Sequence, residues 1–303
     1  MEKIEFKSKR SVERKEGIIR VILTALGTIS ILITLGIIIS LFKESASFFG
    51  EVSLFEFLFG TKWTPMFEPA KFGVVPLLAG TFLIVIFSSI ISIPIGLLSA
   101  VYLSEYAKDS VRKVLKPTLE ILAGIPSIVY GYFALTAITP FLRKIFPSIE
   151  VFNALSAGIA VGIMTIPMVS SLSEDAMAAV PKSMREGAYA LGCTKQEVAT
   201  KVVIPAASSS IIASFILSIS RAIGETMVVA MAAGSTPQLT FNPLKSVQTM
   251  TGYIVQISMG DVPYGTLEYK TIFAVGTLLF IITFILNIIS RRVVKSVNNP
   301  SLK

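Results

Sequence analysis

Long uncharged apolar runs, separated by shorter stretches that carry the charge, set the pattern of this chain. A helix needs about 20 apolar residues to cross a ~30 Å hydrocarbon core. Six runs reach that length: Val21–Phe42, Phe72–Ser104, Ile121–Leu142, Val151–Ser173, Ala206–Gly234 and Thr271–Ser290. The pattern predicts an all-α, polytopic membrane bundle of about six transmembrane helices. The second run is long enough to tilt or bend at Pro94, and the fifth carries Arg221 and Glu225 within it. The first run has a basic flank, as a signal peptide would. Its 22 residues exceed the ~7–15 of a signal core, so it is read as a span.

The segments between the runs give an orientation. Of the 27 Lys and Arg residues, nineteen lie in four segments: before Val21, between spans two and three, between spans four and five, and after Ser290. The three alternate segments hold seven, and the last is Arg221. Basic residues accumulate in cytoplasmic loops, so both termini are expected in the cytoplasm. The expected organisation is a cytoplasmic tail (1–20), a first transmembrane helix (21–42) and an extracytoplasmic aromatic-rich segment (43–71). A permease-like core (72–290) with a cytoplasmic loop at 174–205 and a cytoplasmic tail (291–303) complete it. The aromatic-rich segment holds Phe48, Phe49, Phe55, Phe57, Phe59, Trp63 and Phe67, a density that suits a helix lying at the headgroup level. The segment 235–270 reads either as a cover over the outer mouth of a pathway or as a plain loop.

Composition sharpens this reading. Hydrophobic residues make up 53% of the chain, the mean hydropathy is +0.75, and charged residues are only 15%, against ~25% in soluble domains. The net charge of +8 is accounted for by the basic loops and does not call for nucleic acid. A single cysteine, Cys193, precludes an internal disulfide, and there is no histidine, which excludes a His-based metal site or a His general base. No metal, catalytic or cofactor site is expected.

The segment between spans four and five, 174–205, is far longer than a ~2–8-residue helix–helix connection. Ser183 with Glu186 and Thr194 with Glu197 have capping-box spacing. Gly192 suits a helix stop, and Pro205 is expected to end the second helix. The segment therefore predicts two short helices forming a cytoplasmic knob. Gly187, Ala188 and Ala190 are small enough to let another surface approach. The knob is read either as a docking element or as packing on the chain's own inner face.

Glu186-Gly187-Ala188, Gly192 and then Val202, Ile204 and Pro205 resemble the EAA loop of ABC-importer permeases, with Gly187 in place of the second residue's usual alanine. In that family this loop is the coupling helix that fits a groove on the ATPase. Four further stretches are PIGLLSAVYLSEY at 94–106, GIPSIVYG at 124–131, ISRAIGETM at 219–227, and Asp261-Val262-Pro263 with Tyr269–Phe273. These resemble the phosphate-specific ABC permeases of the PstC type. The resemblance implies a type I ABC-importer permease fold and ATP-driven import of inorganic phosphate. It implies as partners a PstA-type second permease subunit, a dimeric ATPase that binds the ATP, and an extracytoplasmic phosphate-binding protein. It assigns ATPase coupling to Glu186, Gly187, Ala188, Gly192 and Pro205. The chain lacks a GxxxxGK[ST] loop, consistent with ATP being held elsewhere. Alternatives are an ABC permease for another oxyanion or small solute and, more distantly, an ion-coupled secondary transporter, although no internal repeat is evident.

Arg221 and Glu225 are four residues apart and are expected to share a helix face and pair with each other. Each costs ~2.5–3.5 kcal/mol at mid-membrane. Counting from Ala206 puts Arg221 about 22 Å along the helix. A guanidinium matches phosphate oxygens with a planar fork of donors, so Arg221 with Glu225 is the candidate substrate pathway, the other reading being a structural ion pair. Glu120 is expected at the entry of span three. Ser127, Thr165, Ser170 and Ser218 are expected to bond between helices, Pro126 and Pro167 to mark kinks, and Gly158 with Gly162 to serve packing.

Overall fold

The computed structural model describes residues 9–298, with side chains described for 16–294; the outermost parts of both predicted tails, with Lys3, Lys7 and Lys303, lie outside them. Among the described residues the chain is almost wholly helical. Helix α1 (Lys9–Phe49) is followed by α2 (Leu54–Phe59) and a two-stranded antiparallel ribbon, β1 (Trp63–Thr64) and β2 (Lys71–Phe72). Helix α3 (Val75–Val101) ends in a π-helical turn at Tyr102–Tyr106 and leads to α4 (Asp109–Gly124), α5 (Ser127–Phe133) and, through a second π turn, α6 (Thr139–Ile145). Then come α7 (Ala154–Ala178), α8 (Lys182–Ala190) and α9 (Lys195–Glu197). A third π turn, Val198–Val203, joins α9 to α10 (Ile204–Ile223), and α11 (Met227–Ala232), α12 (Met250–Met259) and α13 (Leu267–Asn298) complete the chain.

Among the described residues, five helices are long and apolar enough to cross a bilayer: Glu16–Phe49, Val75–Tyr106, Ala154–Ala178, Lys195–Ile223 and Leu267–Val294. A sixth crossing comes from the bent pair Asp109–Gly124 and Ser127–Ile145, which turn by 87°. The apolar run at 121–142 is therefore not one span, because its first turn belongs to α4. Pro126 has no N–H to continue a helix and disfavours helical backbone at the residue before it; Ile125 (φ −66°, ψ 129°) and Pro126 (φ −56°, ψ 135°) are both extended. By contrast α3 and α7 run on through Pro94 and Pro167.

The central contact is α3 against α7. A β-carbon added at Gly158 would fall 2.7 Å from that of Phe87, one at Gly162 3.0 Å from that of Ile91, and one at Gly96 2.6 Å from that of Val169. Small residues let helices approach closely where lipid supplies no hydrophobic drive between them. The GxxxG at 158–162 is this packing surface. The contacts rise together in sequence on both helices, so α3 and α7 are parallel. An odd number of crossings must lie between them, which identifies Ser127–Ile145 as a crossing.

The other helices alternate. Ser173 of α7 meets Ser214 of α10, and Met177 clusters with Ala207 and Ile211, so α7 and α10 are antiparallel. Helix α1 runs antiparallel to α13, with Phe42 against Phe280 and Lys270 bonded to Glu51. These directions bring the start of α1, the ends of α3, α7 and α13, and helix α8 to one side of the bundle. Among the predicted interhelical hydroxyls, Thr165 instead bonds carbonyls of its own helix, and buried Ser170 has no hydrogen-bond partner among the described residues.

At the opposite side the aromatic-rich segment divides. Phe48, Phe57 and Trp63 are buried with Phe72, Leu77 and Tyr253, whereas Phe55, Phe59 and Phe67 are exposed. Edge-to-face contacts of Phe57 with Trp63 and of Trp63 with Tyr253 join this segment to α12. Three of the seven predicted interfacial aromatics thus build a core, with Phe49 packed against it, because α12 supplies apolar surface for them. Burial raises the pKa of the Tyr253 hydroxyl, which bonds Thr271 Oγ1 at 2.6 Å.

Candidate functional site

The first candidate region is the knob. Pro181 is the N-cap of α8, so the helix begins one residue before Ser183. The Ser183–Glu186 box does not form, and neither side chain caps. The C-terminus follows its sequence signal. Gly192 N–H bonds the Tyr189 carbonyl at 2.9 Å and Cys193 N–H bonds the Ala188 carbonyl at 3.1 Å, a Schellman arrangement. Gly192 has φ +84°, a conformation that glycine adopts without strain. The Thr194–Glu197 capping box is complete. The second helix does not stop at Pro205. The π turn carries it into α10, with Ile204 N–H bonded back to the Ala199 carbonyl, and Pro205 is the second residue of α10.

The motif residues point in different directions. Ala188 is buried and packs with Ala100, Met177, Val180, Val198 and Val203. Its small size therefore serves the approach of α8 to the chain's own bundle, not to an outside surface. Glu186, Gly187 and Gly192 are exposed. A β-carbon added at Gly187 meets nothing within 4 Å, and Leu191 beside Gly192 is 87% exposed. The knob is thus anchored on one side and open on the other.

Charged side chains at the ends of the apolar runs and in the basic segments hold the anchor. Arg185 donates from Nη1 to the Val180 carbonyl at 2.6 Å and from Nη2 to the Met177 carbonyl at 2.7 Å. It also pairs with Glu105 (Nη2 to Oε1, 3.0 Å). Glu174 is fully buried and takes Arg112 on one oxygen and Lys116 on the other, the latter at 2.7 Å. Lys116 also reaches Asp175 at 3.0 Å. No local spacing reveals these ion pairs, whose partners are 58–80 residues apart in the chain. Glu120 is exposed on α4.

The second region is the predicted fifth span, which is broken. Helix α10 ends at Ile223, with Gly224 as its C-cap, and α11 starts at Met227. Glu225 sits in the break. Its Oε1 accepts from the Met227 and Val228 N–H groups at 3.2 and 3.3 Å, and its carbonyl accepts from Thr251 Oγ1 at 2.6 Å. A carboxylate at a helix N-terminus satisfies amides that have no partner within the helix and complements the helix dipole. Arg221 and Glu225 therefore do not share a helix face, and they do not form an ion pair. Glu225 is buried, whereas Arg221 is exposed in the last turn of α10 and has no salt-bridge partner among the described residues.

Comparison with known proteins agrees with this architecture. The sequence profile of the family described as "Binding-protein-dependent transport system inner membrane component" matches residues 92–299. The probable ABC transporter permease protein YqgH of Bacillus subtilis is 35% identical over 290 residues, 95% of this chain and 93% of that one. The phosphate transport system permease protein PstC of Mesorhizobium japonicum is 32% identical over 291 residues, 88% of this chain and 86% of that one. In fold, the chain is similar to one from a bacterial alginate ABC transporter crystallised with a pentasaccharide-bound periplasmic protein. There the TM-score is 0.64 at 15% identity, covering 94% and 98% of the two chains. A chain of the MetNI methionine ABC transporter gives a TM-score of 0.55 at 20% identity, covering 74% and 94%. With its membrane-crossing helices and a family match over most of its length, the chain is an integral membrane protein that belongs to the family of binding-protein-dependent transport system inner membrane components, the permease subunits of ABC transporters.

Proposed function

We propose that this chain forms half of a pathway that imports inorganic phosphate, driven by ATP hydrolysis on a separate subunit. The observation that carries the reading is Arg221, a permanent charge near the end of a span on a face its own helices leave uncovered. Facing lipid there is expensive. A cation with no internal partner is stabilised by a water-lined path, a second permease and a passing anion. The buried Glu225 carboxylate is occupied by α11 and leaves the guanidinium donors available to phosphate oxygens. Phosphate as the substrate is supported by the likeness to the PstC chain.

In this reading the termini and the knob face the cytoplasm, in line with the basic segments. Glu186, Gly187, Gly192 and Leu191 meet the ATPase dimer, which holds the ATP. Pro205 joins the knob to α10, and Ala188 seats the knob on the bundle. A PstA-type permease completes the path, and an extracytoplasmic phosphate-binding protein delivers the ion. The test is uptake of radiolabelled phosphate into sealed vesicles containing the complete transporter. Arg221→Gln, present at normal membrane levels, abolishes uptake, and excess unlabelled phosphate competes better than sulfate or arsenate. Unimpaired uptake by the variant removes the pathway role. Preferential competition by sulfate instead assigns the chain to another oxyanion.

A further inference from the structure

Arg185 does more than fill a surface position beside the motif. Its guanidinium, one-sixth exposed, joins three elements through four donor contacts. Two go to carbonyls where α7 ends, Met177 in its last turn and Val180 just beyond it. Last-turn carbonyls such as that of Met177 lack intrahelical partners, and a cation there also complements the helix dipole. The other two go to Glu105 in the π turn that ends α3, at 3.0 Å from Nη2 and 3.4 Å from Nε. The Glu105 side chain is only 5% exposed. Its one other side-chain partner among the described residues is the neighbouring Ser104 hydroxyl at 2.8 Å.

Apolar contact between α8 and the bundle is sparse by comparison. Ala188 is the buried residue of α8, and a single methyl group cannot fix the orientation of a nine-residue helix. A bidentate guanidinium–carboxylate pair fixes both distance and angle. Lysine would offer one point charge, which cannot address a carboxylate and two divergent carbonyls in a fixed plane. The Glu105 end of the pair also lies in a π turn, where hydrogen bonding departs from the α pattern and which frequently marks functional positions.

We propose that the Arg185–Glu105 pair is the strut by which displacement of α8 is passed to α3, and through the tight α3–α7 contact to the rest of the bundle. Arg185 and Glu105 are thus positioning residues for coupling, not substrate contacts. The inference rests on the proposal that α8 receives the ATPase. Breaking the strut leaves α8 docked and moving but disconnects α3.

The experiment is hydrogen exchange on the complete transporter in nanodiscs, with and without ATP, followed at residues 182–190 and 102–106. In the wild type, ATP changes exchange at both stretches. In Glu105→Gln, which is isosteric, the change at 182–190 persists and the change at 102–106 is lost. Arg185→Lys, which keeps the charge, gives the same loss. Glu105→Gln decides alone if Arg185→Lys does not assemble. Persistence of the 102–106 response in Glu105→Gln overturns the strut while leaving ATPase docking intact. Absence of any ATP response at 182–190 in the wild type overturns the docking proposal and the strut with it.

Discussion

Two regions of this molecule carry buried or membrane-level charge, and they treat it in opposite ways. On the side that bears α8, the buried carboxylates have cationic partners from the same chain. Glu174 is held by Arg112 and Lys116, and Glu105 by Arg185. At the break between α10 and α11, Glu225 is satisfied by backbone amides, and Arg221 has no ionic partner among the described residues. Charges that serve architecture are neutralised internally, since a lone buried charge costs several kcal/mol. A charge left uncovered by its own fold is available to another molecule. The residue types alone would not have separated the two cases.

The contrast can be tested by the stability each side loses. Glu174→Ala should have the largest effect, about 3 kcal/mol, near the low end for breaking a buried pair because Arg112 and Lys116 are about a third exposed and can rehydrate. Thermal unfolding of purified protein in detergent measures it. An unchanged midpoint would show that the buried carboxylate does not hold α4 to α7. Gly158→Leu should cost about 2 kcal/mol by overpacking against Phe87, in the same assay. Gly192→Ala should cost about 1 kcal/mol. Nothing lies within 4 Å of the new methyl group, so the whole penalty is the left-handed backbone at φ +84°. Arg221→Gln should have the smallest effect on folding, within about 0.5 kcal/mol, while it abolishes phosphate uptake. A large loss of stability in that variant would move Arg221 to the architectural class and erase the contrast.

Much of the local structure was legible in the chain. The Thr194–Glu197 box, the Gly192 stop and the GxxxG surface each depend on residues within a turn or two of one another, and each formed as expected. The Ser183–Glu186 box had the same spacing and did not form, because Pro181 started the helix earlier. The breaks at Ile125–Pro126 and Gly224–Thr226 fell inside apolar runs that hydropathy reads as continuous. Hydropathy averages over a window and does not register a missing N–H or a carboxylate capping a new helix. The aromatic segment has the local pattern of a lipid contact, because its partner surface on α12 lies almost 200 residues further along the chain.

The sequence by itself determined that the chain is membrane-embedded, about how many times it crosses, where small residues let helices touch, and where the knob lies. These follow from hydropathy and short-range geometry, which act over one or two turns. Only the tertiary structure decided which charges are spoken for. Ion pairs such as Arg185–Glu105 and Lys116–Glu174 form across 80 and 58 residues of chain. A side chain's partner is set by which helices pack together, and no local pattern of residues encodes that distance.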